Sequence, residues 1–250
     1  MEAKLMYELY DKAGYRQMMT MKCHDNMTVD ELKDWWFLHS KKFKQLPGLK
    51  WYTINFPIDC SPFGSPVIDG FEELWFESLD DLKKAYRSSI MQNELENMRK
   101  RNLCNPELFR AVWLEENIIP LKGYDKIPDK KGMIRLTGIC IQPPTMTKKD
   151  LKDWFYQHAA NVIDKNGYVI IPGIKWYTHC FALDDSPFGL PKFNGVAENW
   201  WLSLEEIKKD FKSDVMKSQL KDREENIDIV DKSFFEGFWS EEFVIDISEK

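Results

Sequence analysis

Two of the four histidines of this 250-residue chain recur at matching places. His39 ends the segment TVDELKDWWFLH (residues 28–39), and His158 ends TKKDLKDWFYQH (residues 147–158). Each falls at the C-terminal end of an expected helix, where the helix dipole favours the imidazolium form and pushes its pKa toward or above neutrality. A histidine there exchanges protons near pH 7 as a general acid or base. It serves equally well as a cap on the last helix carbonyls, and duplication would preserve either role. The other two histidines are unshared: His179 stands where the first copy has Ile54, and His24 stands where the second has Pro143. That asymmetry fits halves that differ in function, and it also fits drift at tolerant positions.

Other chemistries lack their signatures. No Walker loop, dinucleotide fingerprint or GxSxG elbow occurs, and no histidine pair has the spacing of a zinc site, so neither cofactor nor metal is expected. Haem held by a single histidine stays open as an alternative. The five cysteines are scattered, without a CxxC pair, and read as reduced packing thiols. A net charge of −6, with lysines interleaved among acids, argues against a nucleic-acid partner. No apolar run is long enough for a membrane span and the N-terminus is interrupted by charges, so a cytoplasmic protein is expected. Ten Trp, sixteen Phe and nine Tyr are enough to fill large cores or to line a pocket for a flat apolar ligand.

The histidines belong to a repeat that runs through the whole chain. PGLKWYTINF from Pro47 matches PGIKWYTHCF from Pro172, and DCSPFGSP from Asp59 matches DDSPFGLP from Asp184. DGFEELWFESLDDLKKAY from Asp69 parallels NGVAENWWLSLEEIKKDF from Asn194, and FRAVWLEE from Phe109 pairs with FEGFWSEE from Phe235. Thr28, Thr147, Ser78 and Ser203 each lie three residues before a carboxylate, which predicts four helix starts. Leu32, Trp35, Trp36, His39 and Phe43 form an apolar stripe on the first helix. A second helix from about Leu79 carries Leu82, Ala85, Tyr86 and Ile90. Strands are predicted at residues 15–23, 49–57, 71–76 and 109–114. Each half then reads βαββαβ, a ferredoxin-like unit, with domains at residues 1–125 and 126–250 and a linker near 120–131.

A four-stranded sheet with helices on one face needs cover on the other, and the second copy supplies it. The expected fold is therefore α+β, two units in tandem with their sheets packed face to face as a pseudo-dimeric barrel. The space between or beside the sheets is the expected pocket. Strand alternation groups Lys50, Tyr52 and Ile54 on one face, matched by Lys175, Tyr177 and His179. Lysine and tyrosine pack poorly beneath helices, so that face is assigned to the barrel interior. Glu73 with Trp75, and Glu198 with Trp200, share a face of the third strand. Such a glutamate is either a raised-pKa acid or base, or the partner of Lys50 or Lys175.

These residues resemble the EthD-like branch of the dimeric α+β barrel superfamily. The motif is a helix-ending His, then Pro-Gly-hydrophobic-Lys-x-Tyr, then a Gly-x-x-Glu-x-Trp strand. It appears as His39, Pro47 to Tyr52 and Gly70 to Phe76, and again as His158, Pro172 to Tyr177 and Gly195 to Trp201. The resemblance implies a small-molecule site between sheet and helix, often used without cofactor by lyases, cyclases and oxygenases of ring compounds. The SPFG loops lie outside that pattern.

The residues and the resemblance together favour a cofactor-independent lyase or isomerase (dehydratase, decarboxylase or cyclase) acting on a small aromatic or polyketide-like ring. His158 and His39 are the candidate acid/base residues. Tyr52, Tyr177, His179, Glu73, Glu198, Trp75 and Trp200 are the candidate substrate contacts. A non-catalytic carrier or sensor of a similar ligand is the alternative, and assembly beyond the internal pseudo-dimer is left open.

Overall fold

The computed structural model describes residues 11–101, 103, 105–106, 108–119, 121, 132–164, 169–189, 193–225 and 235–247. Cys104 and all of the expected linker except Leu121 lie outside the described residues. In chain order the elements are β1 (Asp11–Met21), α1 (Val29–Phe43), β2 (Leu49–Pro57), β3 (Gly70–Phe76), α2 (Leu79–Arg87), α3 (Ser89–Arg101) and β4 (Arg110–Ile118). The same order then returns as β5 (Ile134–Cys140), α4 (Lys148–Ala160), β6 (Trp176–Ala182), β7 (Gly195–Trp201), α5 (Leu204–Asp210), α6 (Asp214–Glu225) and β8 (Phe235–Val244).

The expected hydroxyls start the helices. Thr28 and Thr147 form capping boxes with Glu31 and Asp150, while Ser78 and Ser203 accept from the amides of Asp81 and Glu206. The second helix of each half is in fact two. Ser88 leaves the helical region at φ −64°, ψ 149°, and its hydroxyl accepts from the Met91 amide at 3.3 Å, which starts α3. Ser213 does the same for Met216 at 3.2 Å. Serine favours such breaks because its side chain competes for backbone hydrogen bonds.

All strand pairs are antiparallel, and the eight strands form a closed barrel in the order β1-β3-β2-β8-β5-β7-β6-β4. Within each half the order is β4-β1-β3-β2 or its equivalent β8-β5-β7-β6. The two half-sheets face one another, but they do so as one barrel: β2 pairs with β8, and β4 pairs with β6. Closure leaves no unpaired edge, which two stacked sheets would have kept. Among the described residues no helix is long and apolar enough to cross a membrane. Cys23, Cys60, Cys140 and Cys180 are free thiols.

The face assignment of β2 is the reverse of the expected one. Tyr52 and Ile54 lie on the outer, helix-covered side, in one buried cluster with Trp36 and Phe43. Tyr52 and Ile54 do share a face; what differs is which face is interior. The second half differs in the same way, although its β6–β7 ladder has no register shift. The β2–β3 ladder shifts register between Leu49 and Trp51, so Leu49 and Tyr52 share a side and Lys50 is exposed beside Glu77 at 3.4 Å. The Tyr52 hydroxyl also finds a buried acceptor, Glu72 Oε2 at 2.6 Å, so a tyrosine is accommodated beneath the helix. Tyr177 and His179 likewise face the helices of the second half, and Lys175 reaches only the Pro172 carbonyl.

Candidate functional site

A cavity of about 800 Å³, counting its solvent-open mouth, lies between the outer face of β5, β6 and β7 and helices α4 and α6. Side chains that fill the corresponding space of the first half shrink in the second. Gly138 replaces Met19 on the first strand of the unit, Ala197 replaces Glu72 on the third, and Val162 replaces Phe43 beyond the first helix. In the first half Met19 and Phe43 are buried core.

The walls are aromatic and aliphatic, including Trp154, Phe155, Trp201 and Phe211, and no Lys, Arg, Asp or Glu is among the described lining residues. One wall is pinned through Asp210, whose Oδ2 accepts from Trp201 Nε1 at 2.7 Å and from the Gly173 amide at 2.9 Å. A Cβ at Gly173 would strike both Asp210 and Trp201, which explains the glycine in the second Pro-Gly pair. The polar lining is sparse: His158, Tyr177, His179, Asn199 and Gln219. Such a surface suits a mainly apolar ligand oriented by a few polar contacts.

His158 lies in the last turn of α4, partly buried, its ring stacked on Trp154 at 5.5 Å and 14°. His179 is fully buried, with Nε2 2.8 Å from Tyr177 Oη and its ring edge-on to Phe155 at 5.0 Å. Burial pushes the His179 pKa well below its ordinary value and nearby His158 adds to the push, so this imidazole is neutral. The tyrosine has changed partners between the halves. Tyr52 uses Glu72, whereas Tyr177 faces Ala197 at that position and uses His179 instead. Gln219 donates to the Asn161 carbonyl at 2.8 Å, tying α6 to the end of α4, while its Oε1 is a buried acceptor with no hydrogen bond.

His39, the counterpart of His158, is buried in the first half and is not among the described residues lining the cavity. It is 4% exposed, stacked on Trp35 at 4.6 Å, with Nδ1 2.8 Å from Glu94 Oε2. Burial drives its pKa down to about 4, against the opposing pull of Glu94, so the expected upward shift from the helix dipole is overturned here. A dipole effect of about 0.3–1 kcal/mol at an exposed helix end is too small to offset the desolvation of a buried imidazole. Glu94 also binds Lys42 at 2.5 Å. In the open half its position is taken by neutral Gln219.

The first half instead holds a buried carboxyl that went unnoticed in the sequence. Glu72 is 0% exposed, and its Oε2 accepts from Tyr52 at 2.6 Å and Trp36 Nε1 at 2.7 Å. Burial raises its pKa to about 7, although those hydrogen bonds pull the other way. A folded-state pKa above the unfolded one means that the native state holds the extra proton. Stability should therefore fall as pH rises from about 4.5 to about 7, by on the order of 3 kcal/mol from this group. Glu72→Gln, which imitates the protonated form, should remove that part of the slope in urea unfolding between pH 5 and 8. An unchanged slope would show that Glu72 is ionised throughout.

Glu73, Glu198, Trp75 and Trp200 lie inside the barrel, away from the cavity. Their partners are two arginines at equivalent positions, Arg16 and Arg135, and not Lys50 or Lys175. Arg16 bonds Glu73 at 2.6 Å, Glu198 at 2.5 Å, Thr178 at 3.2 Å and also Glu116. Arg135 lies 2.5 Å from Glu73, 3.0 Å from Glu198 and 3.2 Å from Glu242. Trp75 donates to Glu116 at 2.5 Å and Trp200 to Glu242 at 3.0 Å. Burial would raise the Glu73 pKa, but Arg135 and Arg16 outweigh it and hold it near 2, so a raised-pKa acid is excluded at this residue. Met18, Phe71, Val196 and Phe238 fill the rest of the interior.

Of the nine candidate residues, His158, Tyr177 and His179 line the cavity. Tyr52 and His39 are core of the first half, and Glu73, Glu198, Trp75 and Trp200 belong to the ion cluster. His24 is partly buried in the β1–α1 loop and is not among the described residues that line the cavity. Asn199, Gln219 and the wall aromatics were missed. The signal that would have found the site was loss of side-chain volume at Gly138, Val162 and Ala197 relative to the first copy. Among the described residues no group of three or more His, Cys, Asp or Glu is placed to hold a metal ion.

No protein-family model matches the chain, and no curated protein does. Solved structures do. An anthrone oxidase-like protein is similar at a TM-score of 0.65 and 10% identity, over 96% of this chain and 98% of that one. A putative monooxygenase from Fusobacterium nucleatum gives 0.55 and 7%, over 94% of both chains. One from Lactobacillus acidophilus gives 0.52 and 10%, over 94% of this chain and 100% of that one. At such identities the likeness is one of fold. The closed eight-stranded antiparallel sheet, the helices around it and these full-length matches make the chain a dimeric α+β barrel in fold.

Proposed function

We propose that the chain is a cofactor-independent, EthD-like enzyme of two fused ferredoxin-like units, residues 1–125 and 126–250, and that only the second carries an active site. Its substrate is a small, largely apolar ring compound of the aromatic or polyketide-like kind. The observation that carries this reading is the cavity: an apolar slot with a half-buried histidine and a hydrogen-bonded Tyr–His pair on its walls. The similarity in fold to an anthrone oxidase-like protein and to two putative monooxygenases supports an enzyme.

In this reading His158 is the general base that takes a proton from an acidic C–H or O–H of the ring. Neutral His179, donating from Nε2 to the Tyr177 oxygen, leaves the phenol proton free for the substrate carbonyl, where negative charge develops. Proton return from His158 to a different atom completes an isomerisation. Its return to a departing hydroxyl completes a dehydration. The dry aromatic walls strengthen both interactions by excluding water.

The test is to close the slot with the first half's own residues. A Gly138→Met/Val162→Phe variant should remain folded, since Met19 and Phe43 pack well at the equivalent positions. It should lose ligand-induced stabilisation in a thermal-shift screen of uncharged phenolic and polyketide-like rings. The wild type should gain about 5 °C or more with ligand near 100 times Kd. Equal shifts in both proteins would place binding elsewhere. A ligand that binds but is never turned over at any pH would make the protein a carrier.

A further inference from the structure

We propose that the first-half loop at residues 59–66 completes the second-half site, with Phe63 as the specificity-determining residue that grips a flat, uncharged ring. The proposal rests on the cavity reading above and adds to it the residue that closes the slot and the charge state of its occupant.

The two SPFG loops each reach across to the other half. Phe63 lines the cavity and meets Phe211 edge-on at 5.8 Å, and Phe211 meets Trp239 at 5.1 Å. At the equivalent place, Phe188 meets Tyr86 at 5.6 Å, and Tyr86 meets Trp113 at 5.5 Å. The same aromatic ladder is thus built twice, over a solid core on one side and over an open slot on the other. On the solid side Phe188 is packing. On the open side Phe63 has a face to offer a ligand.

The loops are also tethered unequally. Over the packed half, Asp185 pairs with Lys83 at 2.5 Å, and the Ser186 hydroxyl accepts from the Trp113 amide at 3.3 Å. Over the cavity, exposed Cys60 stands in place of Asp185, and the Ser61 hydroxyl accepts from the Phe63 amide of its own loop at 3.4 Å. Among the described residues neither of these two contacts has an equivalent over the slot. The loop there is instead held at its ends, by Ile58 N–H to the Trp239 carbonyl and Val67 N–H to Glu236 Oε1, both at 2.9 Å, and by Phe63 against Phe211. The occupant is uncharged because neither Lys or Arg nor Asp or Glu is among the described residues lining the slot, while the buried Gln219 Oε1 offers an acceptor for a ring hydroxyl.

Equilibrium dialysis with 2-naphthol as probe, and 2-naphthoate as its charged counterpart, tests this. The wild type should bind 2-naphthol saturably and 2-naphthoate much more weakly. Phe63→Ala should weaken 2-naphthol binding on the order of tenfold, and Phe63→Leu should weaken it less. Phe188→Ala should leave binding unchanged while lowering the thermal unfolding temperature. Undiminished binding by Phe63→Ala, alongside loss of binding in Gly138→Met/Val162→Phe, would overturn the role of Phe63 and leave the cavity reading standing. Equal binding of 2-naphthoate would overturn the uncharged occupant. No 2-naphthol binding by the wild type would overturn both proposals.

Discussion

His158→Gln is expected to lower turnover by about 100-fold or more, the usual share of a general acid or base, with little change in stability. The histidine is partly exposed at the cavity wall, stacked on Trp154, and a glutamine there remains polar and solvated. His39→Gln should do the opposite. That ring is buried between Trp35 and Phe43 and bonded to Glu94, so its loss should cost about 1–3 kcal/mol in stability with the folded fraction still fully active. Steady-state rates and urea unfolding on both variants check this. Equal losses of turnover at the two sites would mean that the first half also holds a working site, and full turnover in His158→Gln would remove the proposed base.

Arg16→Met should be the most damaging single substitution in the barrel, at about 3–5 kcal/mol, because it leaves buried carboxylates without their counter-charge. Arg16 bonds Glu73, Glu198 and Glu116 at once. The pH dependence follows from Glu73. Its folded pKa near 2 lies below the unfolded value, so its contribution is complete above about 4.5 and is lost as pH falls toward 2. This group's share of wild-type stability should accordingly fall below about pH 4.5, opposite in sign to the Glu72 contribution, which is fully present there. The deficit of Arg16→Met should narrow there, since protonated glutamates no longer need the arginine. Urea unfolding of both proteins at about pH 7 and about pH 3 measures the narrowing as a difference between them, in which the Glu72 contribution cancels. A deficit under 1 kcal/mol at pH 7 would show that the cluster is not held by this charge.

Much of the fold is local and therefore legible. The capping hydroxyls at Thr28, Ser78, Thr147 and Ser203 start helices wherever they occur, because the orphan amides of a first turn need an acceptor. The repeat announces that whatever one half builds the other builds too, and the matched strand orders follow. Alternation grouped Tyr52 with Ile54 correctly. Their face was misassigned because the buried Glu72 accepts the tyrosine hydroxyl beneath the helix and the Lys50 bulge takes the lysine off that face. The arginines at 16 and 135 read as ordinary strand charges. Only barrel closure brings them against glutamates up to 182 residues away.

The site shows the same division. That His39 and His158 are equivalent was plain from the sequence, and so was the unshared His179. Which histidine lines the cavity was decided by volume, a property of the assembled protein. Gly138, Ala197 and Val162 come from three separate elements, and each small side chain is unremarkable alone. Their lost volume becomes a cavity only where those elements converge, and a loop from the other half then covers it. Burial in the filled half likewise lowers the His39 pKa, because desolvation depends on every neighbour packed around a charge and the helix dipole only on the turn that carries it.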